Sequence, residues 1–205
     1  MKTVFLVSSS PRRAELLRRA GIRFETFQIH FPSEIESNTI ATTDSIGDLV
    51  ESNARRKLNY AFGLISVDGI LLCADTVVAV EGEILGKPTD AKDASRMLRL
   101  LSAKEHFVYS GVALADTANC GIVSFHESTK VKFRALSDEE IQKYIATGEP
   151  FDKAGAYGIQ EMASTFVESI SGCYSNVVGL PVAHLTEILR DKMGLDITQH
   201  WKQKR

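Results

Sequence analysis

Most of the features that mark a chain for a special environment are scarce in this sequence. Its 3 cysteines, Cys73, Cys120 and Cys173, lie far apart with no C-x-x-C among them. That excludes a disulfide framework and a zinc knuckle, and predicts small buried hydrophobes in a reducing compartment. Only 5 prolines occur, and the 14 glycines are dispersed, so no linker divides the 205 residues. No apolar stretch approaches bilayer length. The opening run Thr3–Val7 is too short for a secretory core and turns polar at Ser8, and later runs are broken by Asp75, Glu81 or glycine. A cytoplasmic chain with no membrane partner is the expectation. Basic charge is not in surplus: 24 Lys and Arg against 26 Asp and Glu leave a net charge of -2. That is the wrong balance for a protein that neutralises a polyanionic duplex, so no nucleic-acid partner is expected.

Familiar catalytic signatures are missing too. There is no G-x-x-x-x-G-K-[ST] string, no G-x-S-x-G elbow, and no H-x-x-x-H or H-E-x-x-H spacing among the 5 histidines. These absences argue against a Walker-type nucleotide loop, an α/β-hydrolase serine and a histidine-zinc site.

Hydrophobic residues make up 44% of the chain and are spread along it, enough for one substantial core. Thr3–Val7 reads as a strand buried on both faces, followed by a serine turn and a helix with Ser10 at the N-cap and Pro11 at its first position. Residues 25–45 read as strand and loop. A helix is predicted over 48–64, a strand over 69–80 and a turn at 81–83. A further helix is predicted over 90–101, then two antiparallel strands around 106–115 and 121–133. Ser137 and Glu140 are spaced as a capping box for a helix ending near Gly148. Residues 151–179 read as irregular, 181–193 as an amphipathic helix and 199–205 as a frayed tail. The chain is thus an α/β protein with strands of mixed direction.

Three segments break local rules. Ser8-Ser9-Ser10-Pro11-Arg12-Arg13 places hydroxyls and two guanidiniums where a strand meets a helix N-terminus, a setting that suits phosphate. The alternative is a capped surface helix with solvated arginines. Asp75 lies in the apolar segment Leu71–Val80, where an unpaired carboxylate costs several kcal/mol. A lysine, a metal or a reacting water would supply the pairing; otherwise Asp75 caps a turn at an exposed strand end. Asp152-Lys153-Ala154-Gly155-Ala156-Tyr157-Gly158-Ile159-Gln160 offers close backbone approach with three polar side chains, or is an ordinary glycine-rich loop. Lys57, beside Arg55 and Arg56, reads as part of a solvated helix face. Lys87 reads as closing a turn, and Glu34 and Glu36 as loop acids.

Taken together, the motifs resemble the Maf family of nucleoside triphosphate pyrophosphatases. The resemblance rests on Leu6–Leu17 with its S-S-S-P-R-R core, on Cys73-Ala74-Asp75-Thr76-Val77-Val78, and on Gly82–Pro88. It continues through Asp152–Gln160 and Val178-Gly179-Leu180-Pro181. It runs in register from about Val4 to Leu189. It implies one Maf-like domain over residues 1–205, with an elongated, inosine triphosphatase-like mixed sheet whose two lobes flank a deep cleft, often in a homodimer. It also implies hydrolysis between the α and β phosphates with a divalent cation, Mg²⁺ or Mn²⁺. In that reading Asp75 is the general base and shares the metal with Glu34, for which Glu36 competes. Ser8, Ser10, Arg12, Arg13, Lys57, Thr76, Lys87, Lys153 and Gln160 form the substrate shell. Arg12, Thr76 and Gln160 resemble the branch acting on thymidine and uridine triphosphates. The alternatives are the same chemistry on a purine or 7-methylguanosine triphosphate, or a non-catalytic nucleotide-binding regulator of cell division. One departure from the family pattern is Glu161-Met162-Ala163-Ser164, where relatives carry more glycine.

Overall fold

The computed structural model describes residues 2–29, 31, 43–119 and 121–201. Among the described residues, seven strands form one mixed sheet: β1 (Thr3–Val7), β2 (Phe24–Phe27), β3 (Gly69–Val80), β4 (Glu83–Leu85), β5 (Glu105–Asp116), β6 (Gly121–Phe133) and β7 (Val167–Ser171). The order is β2-β1-β3-β5-β6-β7, with β4 added against β3. β1 runs parallel to β2 and β3, and the remaining pairs are antiparallel. β3, β5 and β6 are 12, 12 and 13 residues long. Each therefore extends about 40 Å and gives the sheet its long dimension.

The helices are α1 (Pro11–Arg19), α2 (Thr43–Phe62), α3 (Ala91–Leu101), α4 (Asp138–Ala146), α5 (Tyr174–Val178) and α6 (Val182–Asp191). α2 packs Ala54, Leu58 and Ala61 onto one face of the sheet, against Phe5, Val7, Leu71 and Cys73. The opposite face carries the larger cluster, in which α1, α3, α4 and α6 meet Leu6, Leu72, Val112 and Phe133. Alternation along β3 sorts the two faces: Leu71 and Cys73 go to α2, Leu72 and Ala74 to the other side.

Most predicted elements stand within a residue or two. Three expectations need correction. α2 begins at Thr43 and ends at Phe62, earlier at both ends than the periodicity predicts. Residues 151–179 are not simply irregular, because they contain β7, α5 and 3₁₀ turns at Ala154–Ala156 and Met162–Phe166, and a further 3₁₀ turn at Glu149–Asp152 overlaps their start. The tail from Gln199 is not wholly frayed: a 3₁₀ turn spans Ile197–His200, and the Trp201 indole N–H donates to the Ala20 carbonyl at 3.1 Å. Cys73 is buried as expected, Cys173 is only half-buried, and Cys120 lies outside the described residues. No described helix is long and apolar enough to cross a membrane.

Candidate active site

The sheet has a gap, and the candidate site sits in it. Along one edge, β3 pairs with β1 from Gly69 to Leu72 and with β4 from Val78 to Val80. Between them, Cys73–Val77 has no described strand on that edge, while the other edge is paired continuously with β5. β1 ends at Val7 and its chain turns away through Ser8–Ser10 into α1. Ligands of open α/β sheets favour such a place, beyond the carboxyl end of a strand where neighbouring connections diverge. A cleft of about 400 Å³ opens there. Its walls bring together Ser8, Ser10, Arg12, Arg13, Lys57, Asp75, Thr76, Lys87, Lys153 and Gln160, ten of the predicted site residues. Glu34 and Glu36 lie outside the described residues.

Asp75 is 7% exposed and points to the α2 face of the sheet. Lys57 Nζ donates to its Oδ1 at 2.7 Å, and Asn53 Nδ2 donates to Oδ2 at 3.0 Å. Asn53 and Lys57 are four residues apart on α2, so one helix face delivers both. Asn53 Oδ1 accepts from Arg56 Nη2 at 3.1 Å, which turns the amide Nδ2 toward Asp75. Burial alone would push the Asp75 carboxyl up. Lys57, the Asn53 donor and the Arg13 charge outweigh it and hold the group below the usual carboxylate range. Lys57 is therefore no solvated surface charge, although Arg55 and Arg56 beside it are exposed.

α2 can reach Asp75 because of a glycine. Gly111 is the ladder partner of Asp75 on β5, and a Cβ there would stand 2.1 Å from the Val50 carbonyl oxygen. The helix backbone thus crosses directly over Gly111. Asn53, Gly111 and Ser110 escape sequence reasoning. Only the (i, i+4) spacing of Asn53 and Lys57 would have pointed to the first.

Thr76 faces the other side of the sheet. Its Oγ1 accepts from Arg13 Nη2 at 3.0 Å and lies 2.9 Å from Ser110 Oγ. Arg13 also donates to the Gly179 carbonyl at 2.9 Å and to Ser8 Oγ at 3.3 Å. Its guanidinium therefore ties β3, the serine turn and the end of α5 together. Ser8 Oγ accepts in addition from the Ser10 N–H. Ser10 occupies the N-cap of α1, but its hydroxyl makes no capping bond, contrary to what its position predicts. Lys87 is exposed and has no ion-pair partner among the described residues. Arg13 and Lys57, beside Ser8, make this end of the cleft electropositive, while Lys87 follows Gly86, whose carbonyl accepts from the Gly155 N–H at 3.0 Å.

At the other end the charges balance. Arg12 pairs across the cleft with Asp152 at 2.7 Å, and buried Lys153 meets Asp152 at 2.7 Å and Glu161 at 2.9 Å. The Gln160 amide has no partner among the described residues and faces the cleft. A polyanion fits the first end, and a neutral hydrogen-bonding group fits the second. Among the described residues no three His, Cys, Asp or Glu side chains converge.

The profile of the Maf-like protein family matches residues 3–192, nearly the whole chain. The chain belongs to the Maf-like family. A Maf-like relative named dTTP/UTP pyrophosphatase from Pelotomaculum thermopropionicum is 43% identical over 96% of this chain and 100% of its own. Another of that name, from Carboxydothermus hydrogenoformans, is 47% identical over 92% of this chain and 97% of its own. A third, from Clostridium botulinum, is 44% identical over 96% and 100%. A solved nucleoside triphosphatase, dITP/XTP pyrophosphatase, from Mycobacterium abscessus covers 65% of this chain and 73% of its own. At 16% identity and a TM-score of 0.38 it carries no argument.

Proposed function

We propose that this Maf-like chain is a nucleoside triphosphate pyrophosphatase acting on dTTP and UTP. It cleaves between the α and β phosphates to give the monophosphate and pyrophosphate. The observation that carries the reading is the buried, ionised Asp75 at the gap in the sheet, beside an electropositive wall and facing a charge-balanced one. The names of the relatives support the same reaction and the same substrates.

The triphosphate lies at the Ser8, Arg13 and Lys57 end and extends toward Lys87 in the same cleft, so that positive charge offsets the charge developing on the departing pyrophosphate. A carboxylate offers about four lone-pair positions, so Asp75 retains acceptor capacity beside Lys57 and Asn53. It orients a water in line with the α phosphorus and takes its proton as the bond to the β-side oxygen breaks. The base lies at the Gln160 end. An amide presents a donor and an acceptor together and matches the carbonyl and N–H edge shared by uracil and thymine.

A divalent cation belongs to this reading. Mg²⁺ keeps several waters and uses one or two carboxylates plus substrate phosphates. A lone Asp75 beside a phosphate cradle fits that requirement, with Glu34 or Glu36 as the second carboxylate. Such an ion supplies charge neutralisation on the phosphates.

The test is a nucleotide panel with Mg²⁺ and, separately, Mn²⁺, following pyrophosphate and orthophosphate. The expected result is pyrophosphate from dTTP and UTP, with little from GTP or ATP. Turnover confined to purine or methylated nucleotides would overturn the pyrimidine assignment. Tight binding without turnover of any nucleotide would overturn the enzymatic one.

A further inference from the structure

The charge-balanced end of the cleft is built with unusual completeness. Lys153 is 6% exposed; its ammonium donates to the Glu149 carbonyl at 2.7 Å and to Asp152 Oδ1 at 2.7 Å, and pairs with Glu161 Oε2 at 2.9 Å. Its stem lies over Gly158, where a Cβ would come within 2.5 Å of the Lys153 Cε. Asp152 serves two cations at once: its Oδ2 accepts from Arg12 Nη1 at 2.7 Å, and its backbone carbonyl accepts from Arg12 Nη2 at 3.1 Å. The chain Arg12–Asp152–Lys153–Glu161 therefore starts at α1, crosses the cleft and ends on the residue after Gln160. On its other side Gln160 is anchored by the buried Ile159. The backbone that carries the Gln160 amide is thus held on both sides.

We infer that Asp152 is a specificity-positioning residue, which through Lys153 and Glu161 holds the Gln160 amide, and directly holds Arg12, in the geometry that reads the pyrimidine base. This rests on the pyrimidine reading above. It also gives Lys153 a different task from contacting substrate. The two carboxylates match the two cations Arg12 and Lys153, which leaves Gln160 as the uncharged polar side chain beside them that has no partner among the described residues. Glu161, in the segment 161–164 that departs from the family pattern, supplies the second carboxylate in this chain. The side chain of Asp152 is 58% exposed, so its replacement does not threaten the core.

The experiment measures binding of non-hydrolysable α,β-imido analogues of dTTP and GTP by calorimetry, together with kcat and KM for dTTP, UTP and GTP. It uses the full chain and its Asp152→Asn, Asp152→Glu and Glu161→Gln variants. Asp152→Asn should weaken the thymidine analogue and raise KM for dTTP and UTP by about tenfold, with kcat falling by less than about twofold. The preference over the guanosine analogue should shrink by about the same tenfold. Glu161→Gln should move both quantities the same way by a smaller amount, and Asp152→Glu should restore part of the preference. An unchanged preference in Asp152→Asn, or equal losses for both analogues, would overturn the inference. If the full chain binds with pyrimidine preference but turns nothing over, the hydrolytic reading fails and the binding ratios still decide this one.

Discussion

At Asp75, burial and pairing pull in opposite directions, and pairing prevails. A carboxylate at 7% exposure is tolerable because Lys57 and Asn53 each engage one oxygen. Asp75→Asn keeps the shape but removes the base, and should lower turnover of dTTP by a factor on the order of a hundred to ten thousand. Lys57→Met leaves a buried carboxylate without its main counter-charge. It should cost about 3 kcal/mol of stability at neutral pH, read by urea unfolding. Because the folded value of Asp75 is depressed, the pair's contribution is present above the usual aspartate range and lost as pH falls through the folded value. The stability gap between the parent and Lys57→Met should therefore hold from pH 7 to pH 5 and close only in stronger acid. Asp75 was legible in the sequence because a charge in a β-branched run is costly. Asn53 was not, since one asparagine on a polar helix face carries no signal until its neighbour across the sheet is known.

The site depends on how α2 lies across β3 and β5. Gly111 lets the Val50 carbonyl approach, and any side chain there displaces the helix that carries Asn53 and Lys57. Gly111→Ala should destabilise by about 2 kcal/mol through overpacking, where alanine in an ordinary strand would help. It should also lengthen the Lys57–Asp75 contact and cut kcat/KM. Stability within about 0.5 kcal/mol of the parent would contradict this close approach. The long strands were readable from sequence because they are continuous apolar or alternating runs, α3 because Ala94, Met97, Leu98 and Leu101 recur at helical spacing, and α4 because Ser137 and Glu140 form a capping box. β4 has three residues, too few for a period, and β7 is a mostly exposed edge strand whose pattern resembles a loop. The gap between β1 and β4, which makes the cleft, is a property of pairing and has no local signature.

Across the whole molecule, a buried aromatic group behind the cleft links the base-side loop to the sheet. His106 on β5 is fully buried, 2.9 Å from the Tyr157 hydroxyl and edge-on to Phe133. Its Nδ1 is a buried polar atom without a partner among the described residues. Burial pulls its pKa down to about 4. The unfolded chain therefore takes up a proton near pH 6.5 that the folded one refuses until about pH 4. Stability should be full above pH 6.5 and fall by about 3 kcal/mol as pH drops to 4. His106→Phe should flatten that slope in pH-dependent urea midpoints. A parent curve with no decline over this interval would contradict the buried neutral imidazole.

The decisive measurement is turnover of dTTP in isotopically labelled water, with mass analysis of both products. If Asp75 directs water to the α phosphorus, the label enters thymidine monophosphate and the pyrophosphate leaves unlabelled, and Asp75→Asn slows the incorporation in step with its turnover. Label in pyrophosphate, or release of orthophosphate, would mean attack beyond the α phosphorus and a different alignment of substrate in this cleft.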